Sequence, residues 1–442
     1  MRRSSKLSLL LCSVACQVTG GTVLAQQVET NSSPVPATSR TATANTGVTP
    51  PMGPPDDPFG DRAAYGEVIG GFRFNPSISL TTLRDTNPLM SSPKGPADSG
   101  TAADLALRIT PIRPNGASAF FAVGATRLSN LDRERDLRLI GQVQGALPAA
   151  GWILPLSLIY SRNNLERGSL LSQERVGSPP LTERQVAVTT IGSVDAIRTF
   201  GLNTLTFGLR LTDTEIGDAR TTGGAVQKST ASNLAETWSA KLARPLTPAS
   251  QWYLRGSYDR YRYDSGNQPV IGTRDSESPA LALGIQGMHG KFQGMAELGY
   301  QTKQAHSTVV PDSHSAIGAV ILGYAVSPAL RLNARVNRLV IETNVPGVSN
   351  FVAVATGAGL DWRFAPEWIV QFDTSLTNLD PHPVPGLLKD HASNLTLLWK
   401  PSPRVLFALT QAHTRRSVSQ ELVGFASPYT NSKTTLNLTY YF

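Results

Sequence analysis

The chain has 442 residues, 40 Lys and Arg against 32 Asp and Glu, and a formal net charge of +8, with only 2 cysteines. Both cysteines, Cys12 and Cys16, fall in the first 25 residues, which leaves the rest without thiolate metal sites, iron-sulfur clusters, disulfides or thiol chemistry. The mild basic excess lacks the dense patch that nucleic-acid binding needs, and no run beyond residue 25 is long and apolar enough for a membrane-crossing helix.

Taken in chain order, the start has a basic front (Arg2, Arg3, Lys6), an apolar run from Leu7 to about Ala15, and small residues Val23 and Ala25 before a cut. This reads as a secretory signal peptide over 1–25. A lipid anchor at Cys16 is disfavoured because "SVAC" lacks a Leu three residues before the Cys. Cleavage removes three basic residues and no acid, leaving a net charge of +5. Residues 26–65 are rich in Pro, Thr, Ser and Ala, with little that could form a core, and read as a disordered periplasmic linker.

From 66 to 442 a single pattern repeats. Tight turns are expected at 113–116, 148–151, 201–203, 245–250, 288–290, 327–328, 366–367 and 401–403, each between strand-like segments of ten or more residues. Longer polar connections alternate with them: 87–100, 129–134, 164–181, 217–230, 265–276, 304–314, 344–349, 380–390 and 416–428. Short turns on one rim and long loops on the other describe a transmembrane up-and-down antiparallel β-barrel. With a first strand at about 67–84 and a last at about 430–442, the all-β count is about 18, and both ends meet on the periplasmic side.

Alternation within the strands assigns faces. Leu330, Leu332, Ala334 and Val336 oppose Arg331, Asn333, Arg335 and Asn337; Leu205, Phe207, Leu209 and Leu211 oppose Thr206, Gly208 and Arg210. The polar faces place Arg108, Arg210, Lys241, Arg255, Arg331 and Arg335 in the lumen, beside acids such as Asp104 and Asp259. Such cations either favour anionic solutes or pair with acids to brace the wall. Five of the six tryptophans, Trp152, Trp252, Trp362, Trp368 and Trp399, sit close to tight turns, as an interfacial aromatic girdle requires; Trp238 does not.

Catalytic motifs are missing: there is no G-x-S-x-G, H-E-x-x-H or phosphate-binding loop, so no enzyme activity and no cofactor are expected. His306, Asp312 and His314 invite a loop metal site, but solvated histidines are the simpler reading and no metal is expected. The ending "TTLNLTYYF" puts Leu436, Leu438, Tyr440 and Phe442 on one face. It looks like the closing strand that the barrel-assembly machinery recognises.

The segment 57–89, "DPFGDRAAYGEVIGGFRFNPSISLTTLRDTNPL", resembles the entry of the β-barrel porin 2 type of outer-membrane proteins. The resemblance rests on Asp57-Pro58-Phe59, Gly70-Gly71, Pro76-Ser77 and the cluster Asp85 to Asn87, although "RDTN" replaces that family's Tyr-Asp-Asp-Asn-like run. It implies the outer membrane of a Gram-negative bacterium and a part in exopolysaccharide or capsule secretion or surface organisation. Expected partners are outer-membrane lipid and lipopolysaccharide, the barrel-assembly machinery, an anionic polysaccharide and periplasmic export components, with no nucleic acid. A general or anion-leaning diffusion porin and a closed structural or enzymatic barrel remain as alternatives.

Overall fold

The computed structural model describes residues 66–89, 95–112, 116–130, 136–165, 184–221, 224, 226–227, 232–264, 274–307, 311–343, 348–422 and 426–442. The signal-peptide and linker segments, 1–25 and 26–65, lie outside the described residues. Eighteen long strands make the wall. In chain order they are β1 (Phe72–Asp85), β2 (Asp98–Pro111), β3 (Ser118–Leu128), β4 (Asp136–Ala149), β5 (Trp152–Asn164) and β6 (Val186–Phe200). Next come β7 (Asn203–Ile216), β8 (Asn233–Thr247), β9 (Ser250–Tyr263), β10 (Ser276–His289), β11 (Phe292–Ala305) and β12 (Ser313–Ser327). The last six are β13 (Leu330–Glu342), β14 (Asn350–Ala365), β15 (Trp368–His382), β16 (Leu388–Ser402), β17 (Val405–Val418) and β18 (Tyr429–Tyr441).

Every neighbour is antiparallel, and β1 pairs with β18 from Ser77↔Tyr441 to Asp85↔Lys433, which closes the barrel. Closure satisfies both edges, the condition for a sheet in hydrocarbon. The expected all-β barrel of about 18 strands is borne out, with two-residue turns at 150–151, 201–202, 248–249, 290–291, 328–329, 366–367 and 403–404; the turn expected at 113–116 lies mostly, and most of the expected longer loops lie partly, outside the described residues. Strands of 13 to 16 residues are typical of the wall, more than the ~9–11 a tilted strand needs to cross a bilayer.

The first strand differs from the expected continuous run at about 67–84. Glu67–Ile69 is a separate short strand that folds back on β1 through Gly70 and Gly71, whose φ angles are 57° and 84°. Two successive positive φ values make a tight hairpin that glycine adopts without a Cβ clash. The three residues pair with Phe72 to Phe74, beyond the point where β18 stops at Ser77.

The two faces are opposite in character. Outward positions carry large exposed apolar side chains, among them Leu80, Leu105, Phe121, Leu281, Leu298 and Leu409. Each Leu passed into lipid is worth about 1.5–3 kcal/mol, so this belt holds the barrel in a bilayer. Inward positions are mostly Ser, Thr, Asn, charged residues and Gly. Apolar packing inside gathers at the two rims. At the loop rim Phe351, Ala353, Leu379 and Leu388 pack with Leu422 and Ala426 from the last loop; at the turn rim Ile369, Leu398 and Leu406 cluster with Tyr441.

Candidate functional site

The inner wall is the candidate site. Strand alternation places all six lumen candidates inward, since each has the parity opposite to the exposed apolar residues of its strand. Their surroundings divide them. Arg255 forms a bidentate pair with Glu297 of β11, Nε at 3.3 Å and an Nη at 2.5 Å. Arg335, almost fully buried, is bidentate to Asp373 of β15 at 2.8 and 2.9 Å. The Lys241 ammonium sits 4.0 Å from the centroid of the Tyr253 ring. Arg108 is engaged near Asn75 and Phe120, its cross-strand neighbours. Arg210 and Arg331 have no ion-pair or hydrogen-bond partner among the described residues, and both are exposed.

A recurring device makes the inward pairs possible. Asp104 and Arg138 meet at 2.8 Å across Gly124, which is the direct register partner of both. Tyr253 lies over its register partner Gly284 toward Glu297, the next residue in the same row. Arg335 lies over its partner Gly357 on the way to Asp373, and Asp195 over its partner Gly208 beside Ser239. A Cβ on any of these four glycines would collide with the side chain above it. Long charged or aromatic groups therefore lie flat on the wall instead of standing in the lumen.

At the loop rim the inward groups are tied more tightly. Arg416 is bidentate to its cross-strand partner Asp390 at 2.7 and 2.8 Å and lies over the Tyr429 ring at 5.2 Å. Lys303 donates to Glu342 at 2.8 Å and to the Ser349 carbonyl at 2.5 Å, and Glu342 also accepts from Ser276 and Tyr263. In the last loop, the Gln420–Leu422 turn directs Leu422 into the apolar cluster. Glu421 beside it has its carboxyl held below the usual range by its own backbone amide and the Ser419 hydroxyl.

The remaining expected residues fall as follows. Trp152 and Trp368 open β5 and β15, and Trp252, Trp362 and Trp399 lie a few residues from their turns. Trp362, Phe364, Trp368, Trp399 and Phe407 form one chain of rings with successive centroids 5.1 to 6.1 Å apart. Trp152 contacts Phe207 and carries the Arg198 guanidinium at 5.6 Å. Leu436, Leu438, Tyr440 and Phe442 share the outward face beside the seam, Tyr440 and Phe442 edge to face at 5.0 Å. His306, Asp312 and His314 are not brought together: His306 faces Glu277 at 3.7 Å, Asp312 accepts the Ala305 amide, and His314 stacks on Tyr300.

The carboxylates that neutralise Arg255, Arg335, Arg138 and Arg416 escape a reading of the sequence because each lies one or two strands away. For Arg255, Arg335 and Arg138, whose partners lie two strands away, the one signal is a glycine at an inward position of the intervening strand; Asp390 faces Arg416 directly across a strand pair.

No match is found among curated proteins. Among solved structures the chain is similar to a variant of the ferric enterobactin receptor PfeA of Pseudomonas aeruginosa, 10% identical over 83% of this chain and 81% of that one, TM-score 0.43. It is also similar to the siderophore receptor PirA of Acinetobacter baumannii (7% identity, 85% and 81% covered, TM-score 0.44). A third is the FrpB iron transporter of Neisseria meningitidis, F5-1 variant (7% identity, 83% and 82% covered, TM-score 0.45). The model of the family described as "Putative beta-barrel porin 2" matches residues 57–381, from the segment before β1 to the end of β15. The chain belongs to this family and is an outer-membrane β-barrel protein.

Proposed function

We propose that the protein serves surface polysaccharide secretion or organisation, accommodating an anionic, hydroxyl-rich chain along its inner wall. The observation that supports this is the residual chemistry of that wall. The carboxylates of Asp104, Glu297, Asp373, Asp390 and Glu342 are neutralised by pairing, whereas Arg210, in the field of Asp259, and Arg331, the cross-strand partner of Asp361, keep exposed guanidinium groups. The oxygens of Ser161, Thr189 and Asn333 also lack a hydrogen-bond partner among the described residues. A buried hydroxyl without a partner costs about 1–3 kcal/mol unless an enclosed water satisfies it. Fixed cations on the wall lower the barrier for a passing anion.

The same wall would serve an anion-leaning diffusion porin, and the Leu422 cluster at the loop rim favours a closed barrel. Single-channel conductance of the refolded protein in a planar bilayer separates them. For the polysaccharide reading we expect a stable conductance that an anionic oligosaccharide blocks, and that blocks severalfold more weakly in Arg210→Ala/Arg331→Ala. Conductance without block leaves the diffusion porin. An absence of conductance overturns both pore readings.

Three further assignments belong to this reading. The tryptophan chain anchors the turn rim at the membrane interface. Leu436, Leu438, Tyr440 and Phe442 present the assembly signal to the barrel-assembly machinery. Residues 1–25 direct export and are removed, leaving 26–65 to meet periplasmic export components.

A further inference from the structure

Charge on the outward face is distributed unevenly. From β16 through the seam to β5, the outward-facing charged residues of the strands are Lys389, Arg415, Arg84, Arg127 and Arg162. Each lies within three residues of the loop-rim end of its strand, and no outward carboxylate accompanies them on those strands. Asp380, on β15, bounds the arc. Across the barrel outward carboxylates accompany the cations: Arg260 pairs with Glu277 at 3.6 Å and Arg262 with Glu236 at 3.4 Å.

Next to one end of the arc the lipid-facing wall is hollowed. A depression of about 460 Å³ has sides formed by Val320, Leu322, Val336 and Leu376, and a floor of the small residues Ala334 and Ala358. His391 stands at its edge, 3.3 Å from the Thr374 hydroxyl. His391 is also the direct cross-strand partner of Arg415, and Lys389 is two residues away on the same face. Side chains in such direct and diagonal positions lie about 5 and 7–8 Å apart. An apolar recess thus runs up to a pair of cations.

We infer that this is a binding site for a phosphorylated, multi-acyl lipid of the outer leaflet, of lipid A chemistry. An acyl chain occupies the recess, and the sugar phosphates meet Lys389 and Arg415, with Arg84, Arg127 and Arg162 extending the cationic surface along the leaflet. Two features commit the occupant. The recess opens from a belt that already faces hydrocarbon, so it needs acyl chains rather than a soluble partner. The arc contains only cations, at the depth where phosphates of the loop-side leaflet lie, and each basic residue near an anionic membrane surface is worth about 1 kcal/mol. This inference rests on the outer-membrane assignment and is independent of what passes through the lumen.

The test uses the full-length protein in detergent, with native mass spectrometry read against added diphosphoryl lipid A, monophosphoryl lipid A and phosphatidylethanolamine. Diphosphoryl lipid A should bind most tightly, and Lys389→Ala/Arg415→Ala should weaken it about thirtyfold. Arg260→Ala/Arg262→Ala, on the opposite sector, should leave binding unchanged. Ala358→Phe, which fills the recess without removing a charge, should also weaken binding, and it carries the test should the charge variant fail to fold. Equal affinity for all three lipids, or equal loss in both charge variants, would reduce the site to ordinary annular lipid and overturn the inference.

Discussion

The two rims of the barrel are built from the same strands by different means. At the turn rim, strands are joined by connections as short as Ala150-Gly151, which set each hairpin by themselves, and an outward chain of rings from Trp362 to Phe407 and a small inward cluster at Ile369 are added to them. At the loop rim, the connections are longer and their bases are held by tertiary contacts, with Val348, Leu379, Leu388 and Leu422 packed together and Arg416 held by Asp390. The contrast follows from loop-closure entropy. A two-residue turn fixes its strands by itself, whereas a long loop must be offset by packing and ion pairing at its base.

Substitutions can break this contrast. The largest effect is expected at the loop rim, where Leu379 is fully buried: Leu379→Ala should cost about 4 kcal/mol, read as a lower urea midpoint of the folded, heat-modifiable form in vesicles. If Ile369→Ala at the turn rim costs as much, the two rims are not distinct. Next comes the middle of the wall. Arg335→Ala should cost about 3 kcal/mol by leaving Asp373 without its partner, at the low end for a buried pair because Asp373 keeps 36% of its side chain exposed. Arg335→Met/Asp373→Met should recover most of that loss, which a purely steric role for Arg335 would not allow. The smallest effect is expected at the aromatic chain: Trp368→Ala, which removes ring contacts at 5.4 and 6.1 Å, should cost about 1 kcal/mol by the same urea titration in vesicles.

Much of this architecture is legible in the sequence, and the reason is local. A period of two and Pro, Gly and Asn punctuation set each hairpin independently, so the eighteen strands and the described turns fall where the pattern puts them. The misread point, about 67–84 as one strand, has the same origin: Gly70-Gly71 sits inside an alternating run and marks a turn that the flanking pattern conceals. The wall's electrostatics are a different matter. Parity marks Arg255 and Arg335 as inward, but whether either is free depends on Glu297 and Asp373, 42 and 38 residues away, and on glycines between them. Only the register between strands supplies that information.

The seam has a consequence for how the chain is made. The edge of β1 is covered by two pieces of different origin, Tyr441 to Lys433 along most of its length and Ile69 to Glu67 where the last strand stops, while the Phe442 amide donates to the Pro76 carbonyl at 3.1 Å. A polypeptide released before Tyr429 would carry bare edges on both β1 and β17, each an unfinished ladder of donors and acceptors. Cylindrical closure therefore depends on the last strand: only with β18 in place are the hydrogen-bonding edges of β1 and β17 both hidden.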